Sequence, residues 1–203
     1  MLIKRGAEAE LHRTEFLGRP AVAKTRVPKA YRSTELDENL RRTRIRTEAR
    51  LIAEARAAGV TVPILFDIDL AEAQIVMEFI DGPTVKEVLD RGGTAAMEAA
   101  WEVGRIVGRL HRAGIVHGDL TTSNMILREG RVVMIDFSLG LKDDSREARG
   151  VDLHLLREGL VSAHARATTY YREVVRGYRE VMGSSADRVI ATVKEIESRG
   201  RYT

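Results

Sequence analysis

The first third of the chain alternates apolar and polar positions in short runs, a pattern that is typical of β-strands. Three such runs lie within residues 2–27, and two more follow at 64–70 and 73–80. Between them, residues 33–58 carry apolar positions at helical spacing and end at Gly59. The pattern therefore predicts a strand-rich segment that contains one long helix.

A different pattern begins at Thr84, where amphipathic helical spacing replaces most of the alternation. The predicted elements are helices at 84–91 and 96–113, strands at 125–128 and 131–137, and helix from about 145 to 198 with a break near 183–185. The tripeptide Asp81-Gly82-Pro83 interrupts the chain between the two patterns. We therefore expect an α+β protein with an N-terminal lobe at 1–82, a C-terminal lobe at 83–203 and a ligand site in the cleft between them.

Composition narrows the class of protein. The 203 residues are 44% hydrophobic, which is enough for a core in one domain or two small lobes. The chain has no cysteine, which excludes disulfides and zinc–thiolate sites, and we expect a reducing compartment such as the cytoplasm. It has no apolar run long enough to span a bilayer, so we expect no membrane partner. Arginine supplies 27 of the 33 basic residues, although the net charge is only +3, and its guanidinium group suits carboxylates and phosphates.

Polar residues within two mostly apolar stretches mark a candidate site. Asp119 and Asn124 lie on a predicted loop within the first stretch, IVHGDLTTSNMIL at 115–127. Asp136 lies within the apolar run of the second stretch, MIDFS at 134–138, where we expect it to be buried. A buried carboxylate needs a charged or metal partner. The intervening hairpin can bring Asn124 and Asp136 side by side as two oxygen ligands, which suit Mg²⁺ with phosphate oxygens as further ligands. Asp119 then points at the group that attacks the phosphate.

The spacing H-x-D-x-x-x-x-N followed by I-D-F resembles the catalytic and metal-binding loops of the protein-kinase fold. The resemblance implies ATP and Mg²⁺ as cofactors, Asp119 as the catalytic residue, and Asn124 and Asp136 as metal ligands. This fold also has a strand lysine and a helix glutamate. Lys24 in AVAK lies on the third predicted strand, and Glu48 lies on or beside the apolar stripe of the long helix, where Lys24 is its natural cation.

Further stretches extend the similarity to nearly the whole chain: GAEAEL at 6–11, residues 29–52, HGDLTTSNMIL and the C-terminal SRGRYT. They resemble the PRPK family, the small atypical serine/threonine kinase and ATPase subunit of the KEOPS complex, in its archaeal type. The resemblance implies a minimal two-lobed kinase-like fold and ATP hydrolysis that supports threonylcarbamoyladenosine modification of tRNA. The implied partners are the tRNA threonylcarbamoyltransferase subunit, other KEOPS subunits and tRNA, and the family can also phosphorylate itself on serine.

The same resemblance implies the remaining ATP contacts. Gly6, Ala7 and Ala9 of GAEA stand where kinases have a glycine-rich loop over the phosphates. The backbone of Glu78 and Ile80 is expected to hold the adenine ring, as a hinge strand does in this fold.

Several positions depart from ordinary protein kinases. Gly118 replaces the arginine that grips a phosphorylated activation loop, so we expect no such switch. Ser138 replaces the glycine of Asp-Phe-Gly, and Gly140 is expected to supply the flexibility instead. Asp152 is interpreted either as a cap on the catalytic loop or as an ordinary acid at a helix N-terminus.

Two other functions fit the same motifs. The first is a small-molecule kinase, because aminoglycoside and choline phosphotransferases also have the signature HGDLxxxN with IDF. Only 67 residues follow Asp136, which leaves little room for the insert that encloses the substrates of those enzymes. The other is a nucleotide-gated scaffold with slow turnover. An arginine cluster and the basic tail at 199–201 form either solvated surfaces or contacts for tRNA or protein. The cluster consists of Arg41, Arg42, Arg44, Arg46 and Arg50.

Overall fold

The computed structural model of the protein describes residues 1–6 and 8–200. The strands in this part of the chain are β1 (Leu2–Arg5), β2 (Ala9–Phe16), β3 (Arg19–Arg26), β4 (Leu65–Asp69), β5 (Gln74–Glu78), β6 (Ile115–Val116), β7 (Met125–Arg128), β8 (Arg131–Met134) and β9 (Leu141–Lys142). The α-helices are α1 (Thr34–Ala57), α2 (Val85–Arg91), α3 (Gly93–Arg112), α4 (Arg146–Ala163), α5 (Ala167–Met182) and α6 (Ser185–Gly200). No helix of the described residues is long and apolar enough to cross a membrane.

The five N-terminal strands form one antiparallel sheet in the order β1-β2-β3-β5-β4. The loop between β2 and β3 has two residues, Leu17 and Gly18, both with positive φ, which is the geometry that tight hairpins favour. Helix α1 packs on the sheet through a small apolar cluster made of Ile45, Ala49, Ala73, Ile75 and Met77. This packing places Glu48 beside Lys24 of β3.

The C-terminal part is built around α3 and α5, whose backbones are in direct contact. A Cβ on Gly104 would lie 1.9 Å from the carbonyl oxygen of Val174, and one on Gly177 would lie 2.1 Å from that of Trp101. Only glycine fits at these two positions. Helix α2 begins with a complete capping box, in which Thr84 and Glu87 satisfy each other's backbone N–H groups.

Short strand pairs position the candidate site between the two parts. The hairpin of β7 and β8 turns at Glu129 and Gly130, and a single 3₁₀ turn at Thr122–Asn124 precedes it. The pairing of β6 with β9 brings the chain before Asp119 beside the chain after Asp136. These pairings hold the two polar segments next to each other.

One hydrophobic core joins the two parts of the molecule. The end of α1 and the loop after it enter the same buried cluster as α3, the Asp136 segment and α5. The members from residues before 82 include Leu51, Ile52, Ala55, Val60 and Val62, and those after it include Leu110, Phe137 and Tyr178. Residues before position 82 thus supply part of the core of the C-terminal part. The division into two lobes at residue 82 stays a prediction.

The observed elements differ from the predicted ones in three places. The helical stretch at 145–198 has a second break, at 164–166, where His164 is extended and its ring is bonded to Asp90 at 2.7 Å. The strand predicted at 131–137 ends at Met134, because Asp136 has a φ of 63°. Strands β6 and β9 were not predicted, because two residues are too few to show a periodicity.

Candidate active site

Two adjoining cavities lie between the N-terminal sheet and the segments that carry Asp119, Asn124 and Asp136, and Lys24 and Asp136 line both of them. The first cavity, of about 230 Å³, is also lined by Arg26, Asp119 and Ser138. The second, of about 400 Å³, has a mostly apolar lining that includes Val22, Met77, Ile80, Ile126 and Ile135, together with Asn124. Lys24, Asp119, Asn124 and Asp136 thus share one cleft, as their assignment to one site predicts.

Lys24 is the centre of a network of ion pairs and hydrogen bonds. Its Nζ lies 2.5 Å from Glu48 Oε1, 2.7 Å from Asp136 Oδ1 and 2.7 Å from Ser138 Oγ. An ammonium group has three N–H donors, so these three acceptors use all of them. The predicted pair of Lys24 and Glu48 is therefore present, and both side chains are almost fully buried.

Arg26 holds the second oxygen of Glu48. Its Nη2 lies 2.8 Å from Glu48 Oε2, and only 2% of Arg26 is exposed, so one buried carboxylate bridges two cations. The Nε of Arg26 is buried without a hydrogen-bond partner among the described residues. Arg26 was not among the predicted site residues, although its position two residues after Lys24 puts both on the same face of β3.

Asp136 presents an ionised carboxylate to both cavities. Its Oδ1 accepts hydrogen bonds from Lys24, from the Ser138 hydroxyl at 2.6 Å and from the Ser138 backbone N–H at 3.2 Å. Burial by itself raises the pKa of Asp136, but the Lys24 ammonium and these hydrogen bonds outweigh it and hold the pKa well below its usual range. The group is therefore charged at neutral pH.

The amide of Asn124 is oriented by Asp119. Asn124 Nδ2 donates to the Asp119 carboxylate Oδ2 at 2.8 Å and to the Asp119 carbonyl oxygen at 3.1 Å. Both amide protons are used in this way, which leaves Asn124 Oδ1 as an acceptor. Together with the Asp136 carboxylate it offers the hard oxygen ligands that Mg²⁺ takes beside phosphate oxygens, so this donor set fits the predicted metal. Among the described residues, no group of three or more His, Cys, Asp or Glu side chains could hold a metal ion.

A buried aspartate fixes the segment at 117–124, which we call the HGD loop. Asp152 of α4 accepts hydrogen bonds from the backbone N–H groups of His117 at 2.8 Å and Gly118 at 2.9 Å. Its Oδ2 also lies 3.1 Å from His111 Nε2. Of the two interpretations of Asp152, the cap on this loop is the correct one.

Two glycines near the site are required by close packing. Gly118 has a φ of 76°, and a Cβ there would lie 2.2 Å from the carbonyl oxygen of Leu139, so the arginine of ordinary kinases does not fit. A Cβ on Gly140 would lie 2.8 Å from Leu51 Cδ1. Close packing against Leu51 thus accompanies the glycine at 140, and the flexibility expected of Gly140 stays a prediction.

The remaining predicted ATP contacts lie at the cavity walls. Gly6 and Ala9 line the first cavity, which we call the polar cavity because charged side chains line it. The Gly6 N–H donates to the Ala9 carbonyl at 2.9 Å. Ala7 lies outside the described residues. Glu78 and Ile80 line the apolar cavity, and the Glu78 side chain pairs with Arg128 at 2.5 Å, so the predicted adenine contact rests on the Glu78 backbone.

Neighbouring acids pair with most of the arginine cluster. The pairs are Arg41 with Asp37, Arg42 with Glu38, Arg44 with Glu8 and Arg50 with Glu54. Arg199 belongs to α6 and pairs with Glu147 at 3.0 Å, so it is not part of a separate tail. Arg201 lies outside the described residues. Much of this positive charge is thus neutralised locally.

Comparison with known proteins identifies the family. The family model of the RIO domain matches residues 10–153. The KEOPS complex subunit Bud32 of Pyrococcus abyssi is 46% identical over 99% of this chain and 96% of that protein. The chain belongs to the Bud32 family of RIO-domain proteins. Another Bud32 relative, the probable serine/threonine-protein kinase BUD32 homolog of Archaeoglobus fulgidus, is 42% identical over 100% of this chain and 96% of that protein.

Longer proteins also contain a Bud32-like region. The probable bifunctional tRNA threonylcarbamoyladenosine biosynthesis protein of Methanobrevibacter smithii is 42% identical over the whole chain, which spans only 37% of that relative. Among solved structures, one titled WaaP in complex with acyl carrier protein aligns with a TM-score of 0.60 and 21% identity over 97% of this chain and 87% of that chain. The RIO match and this likeness of fold confirm the predicted kinase-like α+β fold. The Bud32 relatives confirm the resemblance to the atypical kinase of the KEOPS complex.

Proposed function

We propose that this Bud32-family chain transfers the γ-phosphoryl group of Mg-ATP, mainly to water, in support of tRNA threonylcarbamoyladenosine formation within a KEOPS complex. The observation that carries the proposal is the convergence of Lys24, Asp119, Asn124 and Asp136 on one cleft. In that cleft an apolar cavity adjoins one that is lined by charged side chains of both signs, Lys24 and Arg26 among the cations. Such a pair of cavities suits an adenine ring with attached phosphates.

Each of these side chains has a role that its contacts support. Lys24, held by Glu48, binds the phosphates, and Asn124 and Asp136 hold Mg²⁺, which when bound neutralises phosphate charge. Asp119, whose Oδ2 is held by the Asn124 amide, orients the attacking oxygen and accepts its proton.

The rest of the cleft supports nucleotide binding. The backbone of Glu78 and Ile80 holds the adenine ring in the apolar cavity. Gly6 and Ala9, which line the polar cavity, cover the phosphates there. Ala7 keeps the phosphate contact that the family resemblance implies.

The short segment between Asp136 and α4 favours water as the main acceptor. Asp136 is followed after only a short segment by α4, which leaves little structure for a peptide-docking platform. Helices α4, α5 and α6 all contribute to the main core, so they do not form a separate insert around a small-molecule substrate. Serine autophosphorylation remains a secondary reaction of the same site.

The names of the relatives support the proposal that the chain acts within a KEOPS complex. In the Methanobrevibacter smithii relative, a region similar to this chain is part of a longer polypeptide named for tRNA threonylcarbamoyladenosine biosynthesis. We therefore take the tRNA threonylcarbamoyltransferase subunit as the direct partner, beside other KEOPS subunits. Exposed arginines of α1, such as Arg42, Arg46 and Arg50, are the candidate tRNA contacts, because each keeps its side chain at the surface.

The test is Mg-ATP hydrolysis by the chain alone and mixed with the threonylcarbamoyltransferase subunit. Asp119→Asn should lower turnover by about 10²–10⁴-fold, the usual contribution of a general base, and should retain nucleotide binding. Asp67→Asn is the control, because Asp67 is exposed on β4 and lines neither cavity. Equal turnover in Asp119→Asn and wild type would refute the assigned role. Binding of ATP without turnover, with or without the partner, would favour the scaffold.

A further inference from the structure

Lys24 has no proton left for a phosphate. Its three N–H donors go to Glu48, Asp136 and Ser138 at 2.5, 2.7 and 2.7 Å. A phosphate oxygen that binds Lys24 must therefore take the place of one of these acceptors. The acceptor that is displaced is the group that competes with the nucleotide for Lys24.

Glu48 is the acceptor least able to leave. It is 1% exposed, and its second oxygen is held by Arg26 at 2.8 Å. Moving it would leave two buried cations without their shared anion, which is a strongly unfavourable change.

Asp136 and Ser138 differ in charge. The bond from Lys24 to Asp136 joins two opposite charges, whereas the bond to Ser138 joins an ammonium to a neutral hydroxyl. Both hydrogen bonds have a charged donor, but the bond to Asp136 also gains the attraction between two opposite charges, so it is the stronger of the two. The Ser138 hydroxyl also donates its own proton to Asp136 at 2.6 Å, so it can lose Lys24 and remain bonded.

We propose that Ser138 is a positioning residue whose hydroxyl accepts the Lys24 N–H that a nucleotide phosphate needs, so that phosphate binds by displacing the hydroxyl. Ordinary kinases have glycine at this position and lack the competing hydroxyl. The proposal rests on the proposed function, because it takes phosphates as the ligand of Lys24. It makes Ser138 a determinant of phosphate affinity and not of adenine affinity.

The test compares two ligands that share the adenine but differ in phosphates. Calorimetric titration would measure the affinities of ADP with Mg²⁺ and of adenosine for wild type, Ser138→Ala and Ser138→Gly. Without the competing hydroxyl, ADP should bind about tenfold to a hundredfold more tightly, the value of one hydrogen bond to a charged group, while adenosine affinity stays the same. Ser138→Thr, which keeps a hydroxyl, should bind ADP as the wild type does.

Two controls separate this effect from a change of fold. Thermal unfolding of each variant checks the fold, and Ser138→Gly serves if Ser138→Ala is unstable, because glycine is the residue that ordinary kinases carry. Ser162→Ala removes a hydroxyl that donates to the Gly159 carbonyl in α4, so its ADP affinity should equal that of the wild type.

The outcomes distinguish the inference from the function beneath it. Unchanged or weaker ADP binding by both Ser138 variants, with a wild type that binds ADP, would overturn the role of Ser138 and leave the proposed function intact. Equal tightening for ADP and adenosine would also overturn it, because the effect would not involve phosphates. A wild type that binds neither ADP nor ATP would refute the proposed function, and the inference with it.

Discussion

Glu48 is the residue on which the buried charges of the site depend. Lys24 and Arg26 each hold one of its oxygens, and Asp136 supplies the second negative charge near Lys24. The four groups therefore form a neutral set of two cations and two anions. Buried charges are tolerated only when they are paired in this way.

Replacing Glu48 should therefore destabilise the fold strongly. Glu48→Gln leaves Lys24 and Arg26 buried without their shared anion, and we expect a loss of about 3–5 kcal/mol in the free energy of unfolding. Urea unfolding would measure it. Glu38→Gln is the control, because its pair with Arg42 on the same helix is exposed, and it should change little. Equal effects of the two substitutions would contradict the buried network.

Asp152 should be needed for the geometry of the HGD loop. Asp152→Ala removes the acceptor of two backbone N–H groups and the partner of His111, at an expected cost of about 2–4 kcal/mol. Hydrogen exchange of the His117 and Gly118 amides should become faster than in the wild type. Unchanged exchange of these two amides would show that Asp152 does not cap the loop.

Two tyrosines of α5 should respond to substitution in opposite directions. The Tyr171 hydroxyl is buried without a hydrogen-bond partner among the described residues, whereas that of Tyr178 bonds to His111 Nδ1 at 2.9 Å. Tyr171→Phe removes an unsatisfied group and should leave stability at pH 7 unchanged or slightly higher, and Tyr178→Phe should lower it by about 1–3 kcal/mol. Thermal unfolding at pH 7 would measure both.

The Tyr171 substitution should also have a pH dependence. Burial raises the pKa of Tyr171 to about 12. Between pH 10 and 12 the unfolded tyrosine releases its proton while the folded one retains it, so the wild type loses stability as the pH rises. Tyr171→Phe lacks this contribution, and its advantage over the wild type should grow across that range. A constant difference would show that Tyr171 titrates normally in the folded protein.

At the scale of single residues, the sequence predicts those site residues that belong to a local motif. Asp119, Asn124 and Asp136 lie in two short stretches whose spacing carries the information, and Lys24 and Glu48 follow from the fold that this spacing indicates. Arg26 and the bond from Ser138 to Lys24 were missed. Both depend on contacts between segments far apart in the chain, which no local pattern records.

At the scale of elements, the contact of α3 with α5 leaves the least freedom. Gly104→Ala would push a methyl group into the Val174 carbonyl, so we expect a loss of about 3 kcal/mol or more in the free energy of unfolding. Gly159→Ala is the matched control, since nothing lies within 4 Å of a Cβ at that helical position. It should stabilise the protein by about 0.5–1 kcal/mol. Chemical unfolding of both variants tests the contact, and a neutral Gly104→Ala would contradict it.

Helices and strands whose apolar positions repeat regularly along the sequence were predicted well. Those that depend on contacts between segments far apart in the chain were not. The alternation in β2 and β3 and the apolar spacing of α1 are local properties of the sequence. The break at 164–166 contains no glycine or proline to signal it, and His164 is held there by Asp90 of α2 and lies 3.4 Å from the Thr122 hydroxyl of the HGD loop. Such a break follows from the tertiary structure and cannot be read from the segment alone.

At the scale of the whole molecule, the shared core argues against independent lobes. Leu51, Ile52 and Ala55 of α1 are buried in the cluster that also contains Leu110 and Phe137. We therefore expect a fragment of residues 1–82 to be largely unfolded alone, because those side chains would be exposed. Circular dichroism of the separate pieces 1–82 and 83–203, and of their mixture, would test this. Cooperative unfolding of the isolated 1–82 piece would contradict it.

The contact between Leu51 and Gly140 has a consequence for communication across the molecule. Glu48 and Leu51 lie one turn apart on α1, and they meet Lys24 and the segment after Asp136 respectively. Helix α1 therefore works as a rigid rod with two fixed points, one in the charge network and one behind it. We therefore expect a partner that displaces the exposed side of α1 to change the positions of Lys24 and of the segment after Asp136 together.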